Sequence, residues 1–110
     1  TALATALVHS GFKSNSFMFL GFLPKKESEL LRSIGKMKQI SKIEKETVFI
    51  FYESPQRINK TLDLLDQNVP STEVVIAREL TKKFEEIVRG SPNELKKRGY
   101  KGEITVILRL

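Results

Sequence analysis

Cysteine is absent from the 110-residue chain and histidine occurs once. Without cysteine there is no disulfide framework, no thiolate zinc site and no cysteine nucleophile, which is compatible with a reducing, cytoplasmic setting. A lone imidazole, His9, leaves no multi-histidine metal site and makes a histidine-based triad hard to assemble, so no metal is expected. Long apolar runs are missing as well: none approaches the roughly 18 residues of a membrane span. The six glycines are scattered among turns and one helix, which removes any dinucleotide or phosphate-loop fingerprint. No basic-then-apolar leader precedes Thr1, and a first residue other than Met leads us to expect that the chain is cut from something longer.

What is present suits one compact domain spanning residues 1–110, with a core but little stability in reserve. The chain is 40% hydrophobic and 29% charged, with too much Leu, Ile, Val and Phe for disorder. Nineteen Lys and Arg stand against 13 Asp and Glu, a net charge of +6. Such a balance favours polyanionic partners, although lysine-rich helix faces in water produce the same number.

Apolar runs alternate with amphipathic stretches, predicting helices interleaved with strands. Residues 1–10 place Leu3, Ala4, Leu7 and Val8 on one helical stripe, and Gly11 suits a left-handed cap. Residues 16–23 (SFMFLGFL) are apolar on both alternating faces, predicting a strand covered on both sides that Pro24 closes. A helix follows from about Lys26 to Ile40, buried through Leu30, Leu31, Ile34 and Met37, with Lys36, Lys38, Lys42 and Lys45 facing water. The second strand, residues 47–53 (TVFIFYE), ends in a carboxylate. Ser54 and Pro55 then read as an N-cap and first-turn proline for a helix buried through Ile58, Leu62 and Leu65. A third strand covers residues 73–80, and a shorter, more exposed one covers residues 86–89 after a turn at residues 81–83. Ser91, Pro92 and Glu94 have capping-box spacing, predicting a short basic helix to about Arg98. The last strand spans residues 103–110. The expectation is α/β (α+β): a mixed five-stranded sheet flanked by about four helices. Strands joined through helices should pair parallel, and the third and fourth antiparallel.

Two segments carry candidate chemistry. Glu53 closes an apolar strand just before a capped helix, where open sheets place ligands, although the same carboxylate would also favour the helix N-terminus electrostatically. Arg57 lies in the first helical turn, where a cation is disfavoured unless an anion is near. The stretch ARELTKKFEE (residues 77–86) crowds Arg78, Glu79, Thr81, Lys82, Lys83, Glu85 and Glu86 at a strand end. These side chains suit either phosphate contact or a self-neutralising network. Phe84 suits base stacking or core anchoring, and Lys96, Lys97, Arg98 and Lys101 suit phosphate attraction or a solvated face. His9, on an apolar helix, reads as a packing or surface residue.

Together, FYESPQRI (residues 51–58) and ARELTKKFEEIVRG (residues 77–90) resemble one family, the bacterial 16S ribosomal RNA cytidine ribose 2′-O-methyltransferases of the tetrapyrrole (corrin/porphyrin) methylase superfamily. TALATAL, FLGFLPKK and KGEITVIL extend the likeness along the whole chain. The resemblance implies the carboxyl-terminal half of a two-domain, homodimeric, cytoplasmic enzyme, with S-adenosylmethionine in a cleft shared with an absent amino-terminal domain. The fragment alone would be inactive, and its partner would be ribosomal RNA or the small ribosomal subunit. Thr1, Ala2, Tyr52, Glu53, Val75, Ala77 and Ile104 would line the cofactor side. Arg57, Arg78, Glu79, Thr81 and Lys82 would contact RNA or organise the site. Glu53 and Lys82 are candidates to assist proton removal, and no base is assigned. Gln56 replaces a histidine common in the family at that place. A tetrapyrrole methyltransferase of the same superfamily and a noncatalytic RNA-binding module are the alternatives.

Overall fold

The computed structural model describes residues 11–12, 16–78, 85–96 and 99–110. The expected opening helix and the turn at residues 81–83 lie outside them. Five strands form one mixed sheet: β1 (Phe17–Phe22), β2 (Val48–Glu53), β3 (Glu73–Arg78), β4 (Glu86–Gly90) and β5 (Ile104–Arg109). Three helices are described, α1 (Glu27–Ile43), α2 (Ile58–Asn68) and the single turn α3 (Pro92–Leu95). Among the described residues no helix is long and apolar enough to cross a membrane.

The sheet order is β1-β2-β5-β3-β4. β1 pairs parallel with β2, as a helical crossover requires, and β3 pairs antiparallel with β4. β2 and β3 run the same way but do not touch, because β5 lies between them and is antiparallel to both. This corrects the expectation that a helix-linked pair would be neighbours. The strongly apolar β5 takes the most protected place: Ile104, Thr105, Val106, Ile107 and Leu108 are all buried.

Alternation along the strands sorts the side chains onto two faces. Phe49, Phe51, Val74, Ile76, Val106 and Leu108 pack with Leu30, Ile34 and Met37 of α1 and with Ile58, Leu62 and Leu65 of α2. Phe49 and Phe51 are 0% exposed, each worth about 2–3 kcal/mol in apolar burial. Val48, Ile50, Val75 and Ile107 form the opposite cluster, against which Phe12 and Ile87 pack.

The first strand departs from expectation. Its apolar run does not signal burial on both sides, since Phe17, Met18, Phe19 and Phe22 are exposed and β1 is an edge strand. Registers Phe19↔Ile50 and Phe22↔Tyr52 show one extra residue on β1, a bulge. Gly21 sits there at φ +65°, a conformation that costs an L-residue about 1–2 kcal/mol. Gly21→Ala should therefore lower stability by about that amount, although the space around it is open. An unchanged denaturation midpoint would show that the bulge does not depend on glycine.

Leu31, expected on the buried face of α1, is exposed, since the helix turns Leu30, Ile34 and Met37 to the core; helix ends account for the other differences. α1 continues to Ile43 rather than stopping at Ile40. Residues 55–57 form a turn, and the N-cap of α2 is Arg57 rather than Ser54. α3 ends at Leu95, short of Arg98. Its capping box is present: Glu94 N–H donates to Ser91 Oγ (3.2 Å), and Ser91 N–H donates to Glu94 Oε1 (2.9 Å). Ser91→Ala should cost about 1 kcal/mol by urea denaturation. The Ser91 backbone N–H holds the Glu94 carboxyl below its ordinary value of 4.5. A folded value below the unfolded one stabilises above the unfolded value and is lost as pH falls through the folded one. Glu94→Gln should thus flatten the acid side of the stability profile, and an unchanged profile would contradict the cap's ionic character.

Candidate functional site

The carboxyl-terminal ends of β1 and β2, two parallel strands, open onto a cleft lined by Phe22, Lys25, Glu53, Ser54, Gln56 and Arg57, with a volume of about 520 Å³. Open sheets carry ligands at such ends. The β1 bulge delivers Phe22 to the rim, where the residue is 68% exposed. Tyr52 meets Phe19 edge-on at 5.2 Å between centroids and Phe22 at 5.6 Å. Phe19 and Phe22 were not singled out as functional from sequence. The available signal was Gly21 interrupting an aromatic run, which marks a bulge.

Glu53 lies behind this rim with its side chain 0% exposed. Its Oε1 accepts from Ser54 N–H (3.0 Å) and its Oε2 from Thr61 Oγ1 (2.8 Å). Arg57 Nη1 stands 3.6 Å from Oε1, while Nη2 donates to the Pro24 carbonyl at 2.9 Å. The carboxylate thus ties the end of β2 to the first turns of α2, and Arg57 ties both to the loop after β1. The cation disfavoured in that first turn has its anion within the fold. With both oxygens occupied and no exposure, this carboxylate is suited to positioning the cleft wall rather than to taking a proton from a substrate.

Arg78 stands at the end of β3. Its Nε donates to Glu86 Oε1 at 2.9 Å, and Nη1 donates to the Lys101 carbonyl at 3.3 Å. Glu53 and Arg78 both pair with Ile104 of β5, on either side, while Tyr52 and Ala77 both pair with Thr105. Five positions chosen from sequence, Tyr52, Glu53, Ala77, Arg78 and Ile104, therefore occupy two adjacent rungs at one end of the sheet. Val75 pairs with Ile107, further inside, and is 1% exposed. Its side chain belongs to the core. Ala77 and Ile104 are 1% and 2% exposed, so at this end they offer packing and backbone more than side-chain contacts. Thr105, buried on the same rung as Tyr52 and Ala77, was not picked out because a threonine in an apolar strand carries no separate signal. Thr1, Ala2, Glu79, Thr81 and Lys82 lie outside the described residues, as do His9, Lys83, Phe84, Lys97 and Arg98. Lys96 is engaged elsewhere, with Asp63 at 3.0 Å and Asp66 at 3.3 Å, and joins α2 to the end of α3.

No family model matches the chain. Individual proteins do. A protein from Hydrogenobaculum sp. named ribosomal RNA small subunit methyltransferase I is 47% identical over 112 residues, covering 97% of this chain and 46% of its own length. Proteins of the same name from Thermotoga maritima (39%, 98% of this chain, 48% of its own) and Bacillus subtilis (37%, 86% and 30%) also match. The crystal structure of the methyltransferase CobJ superposes with a TM-score of 0.65 at 16% identity, covering 98% of this chain and 46% of that one. At that identity the likeness establishes the fold alone, a mixed five-stranded sheet with helices as expected from the resemblance. The chain spans about half the length, or less, of the curated relatives it matches, and aligns to their carboxyl-terminal part. Along nearly its whole length, this chain is homologous to the carboxyl-terminal part of the proteins named ribosomal RNA small subunit methyltransferase I.

Proposed function

We propose that this chain is the carboxyl-terminal part of an S-adenosylmethionine-dependent methyltransferase that modifies a ribose 2′-hydroxyl of 16S ribosomal RNA. The observation that carries the reading is 37–47% identity, over most of the chain, to proteins named ribosomal RNA small subunit methyltransferase I. The cleft at the ends of β1 and β2 supports it. An exposed phenyl ring at its rim suits a purine face, and Lys25 and Arg57 suit a carboxylate or phosphate. S-Adenosylmethionine fits this chemistry as a ligand held against one wall, with Tyr52, Glu53, Ala77 and Ile104 shaping the wall and an amino-terminal half supplying the other.

When bound, the cofactor would supply a methyl group activated on a sulfonium, with the neutral thioether as the leaving group when the acceptor oxygen takes that methyl in line. The protein's task is then to align that oxygen and give its proton a destination. Arg57 and Arg78 stand at the edge from which RNA would approach, each already held in place by a carboxylate. Glu53 is assigned here to positioning. Among the candidates for proton transfer this leaves Lys82, beside Glu79 and Thr81 in the signature segment. The reading includes a cytoplasmic homodimer, and the exposed aromatic edge of β1 supports an assembly that covers it.

The test places this chain behind the amino-terminal half of the Hydrogenobaculum relative and supplies tritiated S-adenosylmethionine. Label should enter unmodified small ribosomal subunits and survive in alkali-resistant dinucleotides, the mark of a blocked 2′-oxygen. Label in a precorrin but not in RNA would establish the tetrapyrrole alternative. Salt-sensitive RNA binding with no label in either would leave the noncatalytic module.

A further inference from the structure

We infer that the exposed face of α1 is a second RNA-contacting surface, a track for the phosphate backbone that begins at the cleft and runs away from it. The inference rests on the function proposed above and adds to it where the substrate lies.

Between Lys25 and Lys45 the chain carries seven Lys and Arg against three Glu. Lys25, Lys26, Arg32, Lys36, Lys38, Lys42 and Lys45 are all exposed, and none has a carboxylate partner among the described residues. Lys60 and Lys101 are likewise exposed and unpaired among the described residues, but they stand singly, whereas the α1 stretch gathers seven cations. Arg57, Arg78, Lys96 and Arg109 are each paired with Glu or Asp of this chain. Glu27 and Glu29 occupy the first turn of α1, where the helix dipole accounts for them. From Arg32 onward, Glu44 is the sole acid as far as Lys45.

Spacing sharpens the point. Arg32 and Lys36, and Lys38 and Lys42, stand four residues apart, where like charges repel and weaken a helix. The fold gains nothing from that arrangement, whereas a polyanion would be bound by it. Gly35 lies midway between Arg32 and Lys38. A Cβ placed there would meet nothing within 4 Å, so no packing constraint accounts for a residue that weakens the helix interior. A gap in the cationic face lets another backbone approach closely. Lys25 lines the cleft itself, and 17 residues of helix carry the stripe about 25 Å from it. The length and the single sign of charge fit a nucleic acid backbone.

The test measures binding of this 110-residue chain to a 20-base-pair RNA duplex by fluorescence anisotropy between 50 and 200 mM salt. K36Q/K38Q/K42Q/K45Q should flatten the dependence of log affinity on log salt by about 3, removing roughly 60-fold of the loss across that range. K36R/K38R/K42R/K45R should keep the parent's slope. Gly35→Ala should raise the melting temperature while weakening RNA binding, a divergence that a structural role alone does not produce. The inference is overturned if the four-glutamine variant, folded by circular dichroism, binds with the parent's affinity and slope, or if the parent shows no affinity for the duplex. Should the glutamine variant not fold, the pair K38Q/K42Q is measured with the same criteria at about half the effect. Methyl incorporation is read separately: a track that fails while label still enters the RNA overturns this inference and leaves the proposed function standing.

Discussion

Replacing Glu53 with alanine is expected to lower the melting temperature by roughly 10 °C and to impair function mainly through that loss. The substitution removes the acceptor for Ser54 N–H and for the Thr61 hydroxyl, and strips Arg57 of its carboxylate. Removing one partner from a buried polar network costs far more than the network's net worth, because the remaining groups stay desolvated and unpaired. A loss of about 2–4 kcal/mol is appropriate for one buried carboxylate with two hydrogen bonds and a partly exposed arginine. Glu53→Gln keeps the shape but offers an amide N–H on one side, so it should cost about half as much. The opposite pattern, unchanged melting with methyl transfer lost in both variants, would make Glu53 a catalytic residue rather than a positioning one.

Arg78→Glu is expected to reduce methyl transfer more than tenfold while costing only about 1 kcal/mol of stability. The stability cost arises because the new carboxylate would face Glu86, the residue opposite it on β4. Glu86 is 43% exposed at its side chain, so water screens the repulsion and keeps it small. The charge-swapped pair R78E/E86R should restore the melting temperature and leave methyl transfer low, because the cation then stands on the wrong strand for RNA. Recovery of both would confine Arg78 to the cross-strand pair. The assay uses the same joined protein as the incorporation experiment.

Local sequence carried much of this arrangement. The capping box at Ser91 was legible because both of its hydrogen bonds join residues three apart. The five strands were legible from their apolar runs. Strand order was not: nothing local to residues 104–109 says that they insert between β2 and β3, since that choice depends on burying the most apolar strand at the centre. The exposure of β1 was hidden for a related reason. Phe17, Phe19 and Phe22 read as core residues, and hydrophobicity alone does not distinguish a side chain buried within this chain from one awaiting cover by another surface. At the site, the Glu53 carboxylate drew attention, but its commitment to Thr61 and the tie from Arg57 to Pro24 join residues 8 and 33 apart. Those contacts are the ground for proposing that Glu53 positions the cleft wall, which the Glu53 variants test. The rung shared by Tyr52, Thr105 and Ala77 likewise exists only once β5 lies between the other two strands.

A cleft shared between two halves is tested most directly by calorimetric titration of S-adenosylmethionine into this chain alone and into the joined protein. Binding should be at least about 100-fold tighter in the joined protein, because one wall alone leaves most of the ligand in water. Equal affinity in the two would place the whole site within these 110 residues and contradict the shared cleft.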